Sequence, residues 1–180
     1  MNKKLMAAIA AAPLVAACAT QGAGTVASIP EQLRAPAAEV LSLETKASGV
    51  QIYECGAGKD DPARYQWVFK APEADLFDGA GNRIGRHYAG PTWEANDGSK
   101  VVAAVKVRND APDANAIPWL LLSAKSTSGA GVFGRTASIQ RVHTAGGTLP
   151  SEACGQAQAG KVARVAYQAT YNFYVPRQYP

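Results

Sequence analysis

Histidine and cysteine are scarce in this chain, with two and three residues in 180. His87 and His143 show no H-x-H or H-x-x-x-H spacing, so no compact metal-ligand motif is present; a zinc centre needs three or four converging ligands. No Gly-x-Ser-x-Gly elbow occurs, which removes the usual signature of an exposed nucleophilic serine. Basic clusters are also missing. Lys and Arg number 18 against 14 Asp and Glu, and nowhere do they form a patch that would track phosphates, which argues against a nucleic-acid partner. No apolar run reaches the roughly 20 residues of a spanning helix, no window sustains a 3.6-residue period, and no internal repeat is visible.

What is present begins with an address. Lys3 and Lys4 precede an apolar run, Leu5–Ala17, broken only by Pro13, the layout of a secretory signal. The run ends in Val15-Ala16-Ala17-Cys18 and resembles a bacterial lipobox, in which Cys18 takes a lipid and becomes the first mature residue. Ala19 stands where an aspartate would signal inner-membrane retention. The resemblance therefore implies the outer membrane of a Gram-negative cell, with the domain facing the periplasm or the cell surface and the membrane reached through the lipid. On this reading residues 1–17 are the signal, 18–29 a lipidated cysteine and tether, and 30–180 one domain. Losing Lys3 and Lys4 takes the basic count from 18 to 16 against 14 acids, a mature net charge of +2. Cys55 and Cys154 then remain, and in an oxidising compartment the simplest expectation is a disulfide between them.

The domain reads as strands. Val40–Thr45 and Val50–Cys55 look like a hairpin about Ala47-Ser48-Gly49, and Tyr65–Lys70 is a strand that Pro72 should end. Ile84–Tyr88 and Thr92–Glu94 flank an Ala89-Gly90-Pro91 turn. In Lys100–Arg108, Val101, Ala103, Val105 and Val107 should share one buried face. Ile117–Ala124 is an apolar run of strand length, Ala137–Thr144 alternates in part, and Val162–Val175 is long enough to serve two partners or span a barrel. Single helical turns are expected near Ser28–Leu33 and Pro150–Cys154. The pattern predicts an all-β domain, an antiparallel sandwich or closed barrel of about 8–10 short strands.

Several motifs in order carry a resemblance: Gly49-Val50-Gln51-Ile52-Tyr53-Glu54-Cys55, His87-Tyr88-Ala89-Gly90-Pro91-Thr92-Trp93-Glu94 with Asp97-Gly98-Ser99, Ile117-Pro118-Trp119-Leu120-Leu121-Leu122, Ile139-Gln140-Arg141-Val142 with Cys154, and the closing Tyr171-Asn172-Phe173-Tyr174. Together they resemble the family catalogued as domain of unknown function 3455, secreted bacterial and fungal proteins, over roughly residues 35–175. The resemblance implies export and a shared fold. It assigns no activity, so no catalytic residue and no cofactor is carried over. His143 departs from the small polar residue expected there, which speaks against it as a shared ligand.

The chemically versatile side chains concentrate at His87, Tyr88, Trp93, Glu94 and Asp97, and these are the candidate ligand-binding residues. As a site they suit a non-catalytic module for a small molecule, glycan or protein; alternatively the His87/Glu94/Asp97 loop serves an envelope hydrolase or binds a metal. As plain architecture, Trp93 packs inward and the stretch closes one end of the core. If the stretch is a site, His87 and Glu94 should be neutral to stability and Trp93 critical.

Overall fold

The computed structural model describes residues 28–178. The predicted signal, the Cys18 lipid site and the tether up to residue 27 lie outside them. Eight strands follow in order: β1 (Glu39–Ala57), β2 (Tyr65–Phe77), β3 (Arg83–Tyr88), β4 (Thr92–Ala95), β5 (Lys100–Asn109), β6 (Trp119–Ser128), β7 (Ser138–Gly146) and β8 (Val162–Pro176). Each pairs antiparallel with the next, and β8 returns to β1, so the all-β domain is a closed barrel. An eight-stranded barrel has an interior just wide enough to be filled by side chains or to hold one small ligand.

Two breaks expected from the sequence do not occur. The hairpin about Ala47-Ser48-Gly49 is instead the middle of one continuous 19-residue strand. Gly49 is not a turn but a close-approach point: a Cβ there would lie 2.1 Å from the Glu73 carbonyl oxygen and 2.4 Å from the Ala74 Cα. Its missing side chain lets β1 curve against β2 while pairing β8 on its other edge. Pro72 likewise does not end β2. The register with β3 covers only Ala74–Phe77, so Pro72 sits on a stretch paired on one side alone, where a missing N–H is tolerated.

Strand β5 also corrects the expected facing. Its register with β6 shifts between Val105 and Val107. Val105 therefore stays on the inner face, Val107 turns out to join Leu33, Trp119, Leu121 and Val142, and Arg108 turns inward. That outer cluster is roofed by a 3₁₀ turn at Glu31–Leu33. The roof explains why Trp119-Leu120-Leu121-Leu122 reads as a continuous apolar run, for β6 is buried on both faces here. Pro150–Cys154 forms no helical turn; the 3₁₀ turn lies just beyond it, at Gln156–Gln158.

The interior divides into two halves. One is packed by Leu76, Trp93, Val101, Leu122, Ile139 and Phe173, and plugged by Phe133 from the β6–β7 loop. Over the other half lie the loops 110–118 and 147–161. The Cys55–Cys154 disulfide is present and straps the second loop to β1. Trp67 adds an indole N–H donated to the Glu152 carbonyl at 2.8 Å.

Candidate functional site

The five candidate residues lie on or beside the β3–β4 hairpin, and strand alternation divides them. A loop of three residues, Ala89–Pro91, sets the register so that His87 faces Trp93, Arg86 faces Glu94 and Tyr88 faces Thr92. Side chains of successive pairs point to opposite sides of a sheet. His87 and Trp93 therefore enter the barrel, while Tyr88 and Glu94 stay on its outer surface.

The outer pair belongs to a closed network. Glu94 accepts a hydrogen bond from the Tyr88 hydroxyl at 2.7 Å and pairs with Arg86 at 2.9 Å and Lys100 at 3.5 Å. The Tyr88 hydroxyl, followed by Arg86, holds the Glu94 carboxyl below its usual range. Asp97 is a fastener. Its carboxylate accepts from the Ser99 amide and hydroxyl at 2.8 and 2.6 Å and from the Val132 amide at 2.9 Å, and the Ser99 hydroxyl accepts from the Phe133 amide at 3.0 Å. These bonds hold the loop that inserts Phe133. Among the described residues no group of three or more His, Cys, Asp or Glu side chains is placed to hold a metal ion.

His87 is 3% exposed and Trp93 1%. Their rings stack 4.2 Å apart at 13°, with Tyr171 set edge-on to both. The His87 Nδ1 lies 2.9 Å from the Thr92 carbonyl; since a carbonyl only accepts, Nδ1 carries the proton and Nε2 is bare. Burial, which disfavours the charged ring, lowers the His87 pKa to about 3. This neutral, packed ring changes the expectation that His87 is neutral to stability. Its linkage sign is definite: below the ordinary pKa of about 6.5 the unfolded chain binds a proton that the folded chain refuses, so stability falls with pH. Between pH 6.5 and 5 the loss should be on the order of 2 kcal/mol, at about 1.4 kcal/mol per unit. Chemical denaturation across that window measures it, and His87→Gln should flatten the slope. An equally steep slope in the variant would place the proton elsewhere.

His87, Trp93 and Tyr171 form the floor of an open cavity of about 1080 Å³. Its mouth exists because β3 and β4 are short. β4 pairs β5 only from Lys100 to Val102, and β3 pairs β2 only from Ala74 to Phe77. Beyond the Gly90-Pro91 turn, the upper parts of β2 and β5 are not bridged by strand pairing. Phe69 and Pro72 stand on one side of the gap and Val105 and Arg108 on the other, with Leu149 above. Phe69, Val105 and Leu149 are 50, 54 and 61% exposed, an apolar rim around one opening.

Inside the cavity lie three polar residues that are not among the sequence-predicted candidates: Gln51, Tyr171 and Arg141. All three lie in segments that the sequence predicts as strands, and alternation puts Tyr171 on the face it shares with Val165, Tyr167, Ala169 and Phe173. The missing information was barrel closure, which sets Arg141 opposite both Leu120 and Tyr171. Burial raises the Tyr171 phenol pKa, and the nearby Arg141 charge opposes that rise.

A family model described as "Protein of unknown function (DUF3455)" matches residues 36–175. No curated protein and no solved structure matches the chain.

Proposed function

We propose, from the premise that the chain belongs to the DUF3455 family, that it is a non-catalytic binding module taking one small, largely apolar molecule into the open half of its barrel. One observation carries this reading: three exposed apolar side chains, Phe69, Val105 and Leu149, gather at the mouth of a cavity floored by buried aromatic rings. Exposed apolar surface gathered around a concavity marks a binding site more often than chance, and the volume lies just above the usual range of pockets for drug-sized ligands. A hydrolase or metal site built on His87, Glu94 and Asp97 has less support, because His87 lies inside the barrel and the two carboxylates are committed to partners on its outside.

The test uses the full chain and N-phenyl-1-naphthylamine, a neutral probe whose emission rises in apolar surroundings. Titration should give a saturable rise with one probe per chain. Val105→Trp blocks the mouth at an exposed position; it should weaken binding at least tenfold, roughly 1.4 kcal/mol, with the melting temperature kept. Glu94→Gln, on the outer face, should bind as the wild type does. A non-saturable rise, or equal binding by Val105→Trp, defeats the reading.

A further inference from the structure

Resting on the cavity as a ligand site, we infer that its ligand is an anionic amphiphile whose oxyanion head is received by Arg141 and whose apolar body lies along the rim. Arg141 projects into the barrel and is only partly exposed. Its Nε and Nη2 groups donate to the Pro118 carbonyl at 3.0 and 2.9 Å, which fixes the guanidinium without neutralising it. Two of its five N–H groups are used this way, and the rest stay free to donate. None of the ion pairs among the described residues includes Arg141. At the mouth the balance differs: Lys70 pairs with Glu54 at 3.3 Å and Arg108 with Asp110 at 3.7 Å, and Asp113 adds a further acid. The uncompensated charge is the inner one.

Other residues lining the cavity carry unpartnered polar groups. The Gln51 carboxamide nitrogen, the Trp93 indole N–H and the Tyr171 hydroxyl are buried and make no hydrogen bond. All three residues line the same cavity as Arg141. A buried donor without an acceptor is destabilising, and so is a desolvated charge without a counter-ion. An oxyanion supplies the missing counter-ion and matches the planar guanidinium fork, and it can accept from any of these donors that side-chain rotation brings to the cavity. The apolar rim then selects an anion with a hydrocarbon body over a small inorganic one.

Displacement of bound N-phenyl-1-naphthylamine from the full chain tests this, with dodecanoate, dodecyl phosphate and dodecan-1-ol as competitors below their micelle-forming concentrations. At least one anion should displace the probe at a concentration about tenfold or more below the alcohol, the advantage expected of a charge-assisted hydrogen bond. The tighter of the two anions identifies the head group as carboxylate or phosphate. Arg141→Gln should lose the preference, read as the ratio of anion to alcohol displacing concentrations within the variant itself. Where that variant fails to fold, Tyr171→Phe deletes one unpartnered hydroxyl and should cut the anion-to-alcohol ratio, measured within the variant, about threefold. Equal displacement by acid, phosphate and alcohol overturns the inference and leaves the cavity reading standing, as does a preference unaltered in the variants. If the neutral probe does not bind at all, the cavity reading fails and takes this inference with it.

Discussion

Trp93→Ala should lower the stability of the fold by about 3 to 5 kcal/mol, the cost of truncating a large buried aromatic. The ring is not a loose cover over the core. It stacks on His87, meets Tyr171 edge-on at 5.4 Å and Phe173 at 6.3 Å, and packs in the same cluster as Leu122, Val101 and Ile139. Removing it joins the open half of the barrel to the packed half, so neighbouring side chains cannot collapse into the gap from one side alone. One term pulls the other way. The indole N–H has no hydrogen-bond partner, so its deletion leaves no new unpaired group and recovers a small desolvation cost. Cavity formation is the larger effect, and urea denaturation should show it. A loss below about 1 kcal/mol would mean that the ring is not a structural divider.

Removing the disulfide comes next in size. Cys55→Ser together with Cys154→Ser should lower stability by about 2 to 5 kcal/mol. The bridge spans a sequence separation of 99 residues, and the chain-entropy account gives about 4 to 5 kcal/mol for a loop of that length as an upper value. The bond also lies among Tyr53, Trp67, Tyr65 and Val165, where it anchors the loop that carries Leu149 over the cavity. Apart from any effect on stability, its loss should loosen the mouth and weaken probe binding. A reductant should destabilise the wild type and leave the double serine variant unaffected. Two alkylatable thiols in denatured, unreduced wild-type protein would contradict the bridge.

Much of the fold is legible in the sequence because its determinants are local. Val162–Val175 alternates except at Ala166 and Tyr174; of the face shared by Val165, Tyr167, Ala169, Tyr171 and Phe173 all but Val165 are buried, as are Thr170 and Asn172 on the other face. The cysteine pair follows from counting, and the family follows from several motifs in order. Misreadings occur where meaning depends on a distant partner. Gly49 looks like a turn until the Glu73 carbonyl is brought against it. Pro72 looks like a stop until β2 is known to be unpaired there on its β3 side. The bulge at Lys106, which sends Val107 outward and Arg108 inward, leaves no trace in a run of alternating valines.

The site is legible by halves. Of the His-Tyr-Trp-Glu stretch, His87 and Trp93 line the cavity, whereas Tyr88 and Glu94 lie on the outer surface. The separation of the two pairs follows from the three-residue loop, which fixes the hairpin register. Arg141 is harder to find. Its facing follows from alternation with Ile139, but an interior arginine reads like any surface one until barrel closure places Tyr171 beside it. Nothing local marks the cavity mouth either, because it arises from two strands being too short to reach past Gly90 and Pro91.

The most direct test of the binding site is a crystal structure of the full chain grown with N-phenyl-1-naphthylamine. One probe molecule should lie between Phe69 and Val105, against the stacked His87 and Trp93 rings, with the β2–β5 gap open as its way in. A mouth closed by Phe69 and Leu149 packed into it, or a probe bound only on the outer face beside Tyr88 and Glu94, would contradict the claim that this barrel is built around a ligand.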